Sequence, residues 1–382
     1  MEPHTAAPPL RRRRRTAAGL LAVALLVSGC GLRLETPPPA EPVPDALEIV
    51  RRTAVSDALY VAEQADAAVD VLGGTRPGLA EELERVAADS REQADQLGGV
   101  YDSGLEPTAS PSGSPQVAPS EGPVRPSDVV VALVEAAGRS RTAASTTADG
   151  DLARLIASIG AAQTVSASRV GDYTRAGPPP TVVPTVPSPG PEDPPAEDVD
   201  GTDGTDRESP PAAATASEDP GEQSADGAAD TVTSTGPGSD EPVPVPRGLT
   251  AGELSTLVES EDSAGYALRL RAALRTDGRR TRLADRADVH TDRSRAWSGL
   301  AGTAGTDQDP RRTAYAVPRR PGDAALVRSV ENDLATTYAT LVGTTAADSR
   351  TALVDLLFDT ALTLDAWGAE PTPFPGLPEQ QD

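Results

Sequence analysis

The stretch 338–368, YATLVGTTAADSRTALVDLLFDTALTLDAWG, contains two apolar runs separated by a short polar turn. Within each run the apolar residues recur at intervals of three and four, which is typical of an amphipathic helix. The Thr-Thr-Ala sequence between the runs predicts a turn, and the Asp that follows it predicts the N-cap of the second helix. The stretch therefore predicts a helical hairpin.

A related pattern occurs much earlier in the chain, at residues 140–163, SRTAASTTADGDLARLIASIGAAQ. It also joins two helical runs through Thr-Thr-Ala followed by Asp. In addition, a Tyr lies midway along the first predicted helix of each half, at Tyr60 and Tyr266. These similarities predict two related halves, and chance similarity between alanine-rich helices is the alternative.

Each half contains four amphipathic segments, two of which form its hairpin. The predicted helices of the first half are Asp45 to Gly73, Pro77 to about Leu97, a helix opening after Ser127 or Asp128, and about Asp149 to Tyr173. Those of the second half are about Thr250 to Thr276, Gly278 to Gly299, Gly322 to Val342 and Ala346 to Trp367. We expect an all-α protein with two antiparallel four-helix bundles, at 45–173 and 248–368.

The segments between and beside these bundles are rich in Pro and poor in large apolar residues. Pro and acidic residues keep such segments extended. The segments cannot bury enough apolar surface to offset the entropy that the chain loses on ordering. The segment 174–247 alone holds 15 acids and three Arg. We expect a Pro-rich tether at 30–44, a Pro/Ser loop at about 103–125, and disorder in the linker 174–247 and the tail 369–382.

The N-terminus has the order of a secretory signal: five Arg at 11–15, an apolar run at 16–27, then small residues. The apolar run is too short to cross a bilayer core of about 30 Å. Val27-Ser28-Gly29-Cys30 resembles the lipobox of bacterial lipoproteins, with Val27 where Leu is most common, and Cys30 is the only cysteine. We predict a signal peptide at 1–29 and lipid attachment at Cys30; an ordinary signal peptide or an uncleaved anchor is the alternative.

Charge restricts the partners that the chain can have. Removing residues 1–29, which carry five Arg and one Glu, takes the formal net charge from −24 to −28. Such a chain is repelled by nucleic acid, so we exclude a nucleic-acid partner. We expect the protein on the extracytoplasmic face of the cell membrane, held by diacylglycerol and acyl chains on Cys30, with an envelope protein as a further partner.

The second half contains three sequence motifs: Glu261-Asp262-Ser263-Ala264-Gly265-Tyr266, His290-Thr291-Asp292-Arg293-Ser294-Arg295 and Ala314-Tyr315-Ala316-Val317-Pro318. Together with Trp367 they resemble the actinobacterial ferritin-like domain family of unknown function, over residues of about 249–368. The family's first motif often has Glu-His, and here Asp262 replaces the His. The resemblance implies a ferritin-like four-helix fold and no particular activity.

Helical spacing places three polar residues on inner faces of this bundle. Glu261 shares its face with Leu257 and Leu268, and His290 shares its face with Trp297. Glu331 lies at the edge of a third apolar stripe. A carboxylate and an imidazole on facing inner stripes are the elements of a metal site, so these three residues are the candidate metal ligands.

A structural role explains the same residues more simply. A di-iron site needs two Glu-x-x-His motifs, and the chain has none. We therefore expect no metal and no cofactor, with Glu261 and His290 bonded to each other or to Tyr266 as a buried pair. Two further interpretations complete the prediction: Asp355 and Asp359 lie on a solvated face, and Trp297 and Trp367 fill the core.

No set of catalytic residues was found, so we expect a protein that is not an enzyme. The first hypothesis is a membrane-anchored, non-enzymatic binding or scaffold module, in which long linkers allow the two bundles to move separately. The alternative is a degenerate ferritin-like metal-binding or redox protein that uses Glu261 and His290.

Overall fold

The computed structural model describes residues 43–103, 122–174, 183–187, 246–320 and 322–380. The predictions for the signal peptide, for Cys30 and for the tether up to residue 42 lie outside these residues. So do those for most of the loop 103–125, most of the linker 174–247 and the last two residues of the tail.

The described residues form eight α-helices, four in each half, and no strand. The first half contains α1 (Ala46–Leu72), α2 (Pro77–Gln96), α3 (Pro126–Thr146) and α4 (Gly150–Thr174). The second contains α5 (Ala251–Ala273), α6 (Gly278–Leu300), α7 (Asp323–Thr344) and α8 (Thr351–Ala366). The helices of each half pack mainly with one another, which confirms the predicted all-α class and its two four-helix groups. None of the described helices is long and apolar enough to cross a membrane.

The predicted helix starts were wrong at α3 and α8. Helix α3 begins at Pro126, before both predicted caps, because Pro fits the first turn of a helix. The carboxylate of Asp128 instead accepts the backbone N–H of Arg125 at 2.9 Å. Asp149 caps α4 as predicted, accepting the N–H of Leu152 at 2.8 Å. Asp348 does not cap α8, since it lies in the turn with a φ of 62°.

Both halves have the same helix directions. Short turns join α1 to α2 and α3 to α4, so each of these pairs is antiparallel. Arg76, just before α2, donates to the carbonyl of Tyr173 near the end of α4, so α2 and α4 are also antiparallel. Helices α2 and α3 are therefore parallel. In the second half, Nη1 of Arg271 near the end of α5 lies 3.6 Å from Oδ1 of Asp323 at the start of α7, so α5 and α7 are antiparallel. Because α5 and α6 are also antiparallel, α6 and α7 are parallel, as α2 and α3 are.

The two bundles pack against each other, a placement that the sequence left open. Helices α3 and α4 of the first bundle contact α7 and α8 of the second. A single apolar core runs through the contact, with Ile156 and Ile159 from one side and Leu353 and Leu357 from the other. The expectation that the linker lets the bundles move separately is therefore wrong, because separating them would expose this core to water.

One buried arginine joins the two Thr-Thr-Ala turns. Arg350 donates from Nη1 to the carbonyl of Thr147 at 2.7 Å and from Nε to that of Thr345 at 2.5 Å. The N–H of Asp348 also donates to the carbonyl of Ser145 at 2.7 Å. The paired turns thus share their otherwise unsatisfied carbonyls with one cation, which fixes the two hairpins side by side.

Helix α8 lies at the centre of this arrangement, and this overturns one prediction. Asp355 was assigned to a solvated face but is 5% exposed. Its carboxylate accepts two bonds from Arg141 of α3, at 2.5 and 2.7 Å. The face opposite the Leu stripe of α8 is covered by the first bundle, so both faces of the helix are buried.

The tail 369–382 was predicted to be disordered, but its residues up to 380 form a wall of the fold. Phe374 and Leu377 are buried in the shared core. The carbonyl of Pro375 accepts the hydroxyl of Ser158 at 2.8 Å, and that of Pro373 accepts the amide of Gln93 at 3.2 Å. Two apolar side chains and two backbone carbonyls are sufficient to order a segment that has no helical pattern.

We predict that Gly150→Ala destabilises the contact between the bundles. A Cβ at Gly150 would lie 2.0 Å from the backbone oxygen of Gly343, which belongs to α7 and cannot rotate away. We expect a loss of about 1–3 kcal/mol of unfolding free energy, measured by urea denaturation.

Gly138→Ala in α3 is the matched control, because a Cβ there meets nothing within 4 Å. It should leave stability unchanged or raise it by up to about 1 kcal/mol, since Ala favours a helix more than Gly does. Equal stabilities for the two variants would show that the backbones do not approach closely.

Candidate functional site

The three predicted site residues meet in the core of the second bundle. Glu261 on α5, His290 on α6 and Glu331 on α7 are all 0% exposed. Their inward orientation follows from the helical spacing, because each occupies an apolar stripe that faces the bundle axis. The Glu261–His290 pair that the sequence predicted is present.

His290 bridges the two carboxylates. Its Nδ1 lies 2.7 Å from Oε2 of Glu261, and its Nε2 lies 3.1 Å from Oε1 of Glu331. Burial alone would lower the pKa of His290, but the charges of Glu331 and Glu261 outweigh it and raise that pKa above 6.5. Because both ring nitrogens face carboxylate oxygens, this geometry favours the protonated, cationic form of the ring.

Two arginines extend the cluster to α8. Arg286 donates to Glu331 from Nε at 2.6 Å and from Nη2 at 2.7 Å, in a bidentate pair. Its Nη1 donates to Asp359 at 2.7 Å, and Arg293 donates to the same oxygen at 2.7 Å. The prediction of a solvated Asp359 was therefore wrong, because this carboxylate neutralises two cations from α6.

Tyr338 of α7 completes the cluster by donating its hydroxyl to Oε1 of Glu261. We call the seven residues the core charge network; they are Glu261, Arg286, His290, Arg293, Glu331, Tyr338 and Asp359. The network contains three acids and three bases, so it is neutral when His290 is protonated. Burial would raise the pKa of Glu331, but His290 and Arg286 lower it to about 2.

Sequence analysis missed four of these residues, Arg286, Arg293, Tyr338 and Asp359. A signal for the two arginines was present, since positions 286, 290 and 293 are spaced by four and three and share one helix face. Asp359 could not be identified in this way, because its partners are on another helix. Tyr266, the alternative partner of Glu261, instead packs on Tyr315 with ring centroids 5.7 Å apart.

The remaining motif residues hold neighbouring elements together. The hydroxyl of Tyr315 donates to Asp262 at 2.7 Å, which attaches the α6–α7 connection to α5. Gly265 faces α6 so closely that a Cβ would meet the hydroxyl of Thr291 at 2.7 Å and the carbonyl of Ala287 at 3.1 Å. Trp297 is fully buried, as predicted. Trp367 is half-buried, with the guanidinium of Arg282 4.3 Å from its ring centroid.

The core charge network does not fit a metal ion. A metal needs the lone pairs of imidazole and carboxylate, but both nitrogens of His290 are already within hydrogen-bonding distance of carboxylate oxygens. Arg286 already binds both oxygens of Glu331 and adds a positive charge beside the site. Within the described residues no group of three His, Cys, Asp or Glu side chains is arranged to hold a metal.

We predict that Arg286→Met strongly destabilises the protein. The substitution removes two hydrogen bonds to Glu331. It leaves this buried carboxylate with only part of the positive charge that balances it. We expect a loss of about 3–5 kcal/mol of unfolding free energy in urea denaturation. Arg280→Met, an exposed position on the same helix, should change it by less than about 0.5 kcal/mol. A similar small change in both variants would argue against a tightly paired network.

The pH dependence of stability should reflect the same groups. A base whose folded pKa is raised stabilises the fold below its unfolded pKa of 6.5, and this contribution is lost as pH rises through the folded pKa. An acid whose folded pKa is lowered, such as Glu331, contributes above its unfolded pKa of 4.5 and loses that contribution as pH falls towards 2. The contribution of the network is therefore greatest between pH 4.5 and 6.5.

The measurement is the unfolding free energy of the protein and of His290→Gln from about pH 3 to 9. The unfolding free energy of the protein should exceed that of the variant by the largest amount between pH 4.5 and 6.5, and the difference should decrease as pH rises further. A difference that does not vary with pH would contradict a protonated His290.

Comparison with known proteins agrees with the placement of these motifs. No curated protein and no solved structure matches the chain. Residues 254–379 match a family described as a domain of unknown function (DUF4439). The matched segment contains nearly all of the second bundle, including every residue of the core charge network, together with the ordered tail. The second half of this chain is thus similar to an uncharacterised domain family.

Proposed function

We propose that the protein is a lipid-anchored component of the bacterial cell envelope whose eight-helix body is a non-enzymatic binding module. The observation that carries the proposal is the core charge network. His290 is the only histidine in the described residues, and its ring and its acidic neighbours are all paired with one another. A general acid or base must reach a substrate, and these groups reach only each other.

Helix directions support a ferritin-like fold for the second bundle. Ferritin-like bundles have one long crossover between two hairpins. Here the connection between α6 and α7 runs 301–322 and joins parallel helices. The helices of the first bundle have the same directions, which supports two related halves.

A metal or redox role is the alternative that the sequence raised. Three helices do bring Glu261, His290 and Glu331 together, as in metal-binding bundles. The hydrogen bonds at both nitrogens of His290 and the charge of Arg286 disfavour it. Stoichiometric iron, manganese or zinc in the purified protein, found by elemental analysis, would overturn the non-metal assignment.

Membrane attachment rests on Cys30 and the residues around it. Lipid on Cys30 would hold the acidic body on the outer face of the membrane through the Pro-rich tether, with other envelope proteins as partners. Two acyl signals on one residue give stable anchoring, which a single chain does not.

We predict that Cys30→Ala moves the protein from the membrane fraction to the soluble fraction. Because the substitution removes the only thiol, it should also abolish incorporation of labelled palmitate. Fractionation followed by immunoblotting measures the first effect, and autoradiography measures the second. Ser28→Ala is the control, since it keeps a small residue before Cys30. Unchanged membrane association of Cys30→Ala would overturn the proposed anchor.

A further inference from the structure

A cleft of about 530 Å³ lies where the two bundles and the tail meet. Helices α2, α4, α7 and α8 form its sides, and the segment 369–375 lies along it. The volume falls within the range of about 300–1,000 Å³ that is typical of small-ligand sites, which often occur between domains. The core charge network contributes no residue to this cleft.

The tail makes the cleft a preformed site. Phe374 and Leu377 are buried, and the carbonyls of Pro373 and Pro375 are bonded to the first bundle. The wall is therefore fixed to both bundles, and the cleft does not depend on a ligand to order it. Four apolar residues supply its floor, namely Ala162, Val165, Ala361 and Leu364.

Charge in the cleft is distributed unevenly. Arg85 is paired with Glu82 and Asp89, so its charge is already balanced. Arg328 is half-buried and donates from Nη1 to the carbonyl of Trp367 at 2.9 Å. No carboxylate of the described residues forms an ion pair with it, although a guanidinium has five donors in all. Asn332, four residues further along α7, also lines the cleft.

Three acids also line the cleft: Asp365, which is paired with Arg169, and the exposed residues Glu92 and Glu370. Glu92 and Glu370 form no ion pair among the described residues. Arg328 favours a ligand with a carboxylate. Glu92 and Glu370 disfavour a second negative charge on that ligand and favour a cationic group at some distance from the carboxylate. A carboxylate, an apolar middle and an ammonium group are the parts of a short apolar peptide.

We propose that this cleft binds the carboxyl-terminal end of a short apolar peptide, with Arg328 holding the terminal carboxylate. Planar guanidinium pairs well with carboxylate, and the apolar floor accepts the side chains. The proposal rests on the proposed role as a binding module and specifies its ligand. Binding in solution needs no lipid on Cys30, so its failure can be distinguished from failure of the anchor.

The first test uses isothermal titration calorimetry on the full-length chain with leucyl-alanyl-leucine, its C-terminal amide and octanoate. The free peptide should bind, and the amide should bind at least about tenfold more weakly because it lacks the charge that Arg328 pairs with. Octanoate shares the carboxylate and apolar body but has no ammonium, so it should bind more weakly than the peptide. Equal binding of peptide and amide, binding of octanoate alone, or no binding of the peptide would overturn the proposal.

The second test is the variant Arg328→Gln, compared with Arg319→Gln, which removes the same charge at an exposed position outside the cleft. Affinity for the free peptide should fall about tenfold in the first variant and stay unchanged in the second. Arg328→Lys keeps the positive charge, so it should retain more affinity for the free peptide than Arg328→Gln does. This comparison separates the effect of losing the ion pair from the effect of losing the hydrogen bond to Trp367. Equal affinities for Arg328→Gln and Arg319→Gln would overturn the assignment.

Discussion

Pairing of buried charges is the constraint on which the second bundle depends. Glu261, His290 and Glu331 expose no surface to solvent, so each charge must be balanced by a neighbour at hydrogen-bonding distance. Four helices contribute to the balance, and none of them can shift along its axis without separating a pair. A well-packed apolar core would be as stable as such a network. What the network adds is a fixed alignment of α5, α6, α7 and α8, while the core of the first bundle is mainly apolar.

Helix α8 carries this constraint from the second bundle to the first. Asp359 faces the arginines of α6, and Asp355, one turn earlier, faces Arg141 of α3. Between and around these acids the helix is apolar, and it is buried on all sides. A helix of this kind belongs at the centre of a structure, because exposing either side would bring apolar surface into contact with water or leave an acid without its partner. The two bundles are therefore one folded body, although 76 residues separate α4 from α5.

Local patterns in the sequence were enough to predict the helices, their grouping and the inward orientation of the three central side chains. Apolar spacing identifies which face of a helix is buried within its own bundle, and it placed Glu261 and His290 correctly. The same spacing misplaced Asp355, because nothing local indicates that a second bundle covers the polar face. The tail was missed for a similar reason: Phe374 and Leu377 are isolated apolar residues among prolines, and only the complete core shows where they fit. Contacts between distant segments thus account for the errors.

The docking of the tail also makes the first bundle depend on residues that are synthesised much later. The bonds from Gln93 to Pro373 and from Ser158 to Pro375 join residues 280 and 217 positions apart. During synthesis the first bundle is made long before these partners exist, so its surface beside the tail stays uncovered until residues 373–375 have been made. Contacts of such long range are also slow to form, because the chain must lose much conformational freedom to close them. The segment 369–380 therefore covers both bundles only late in synthesis, and removing it would leave apolar surface exposed on both and prone to aggregation.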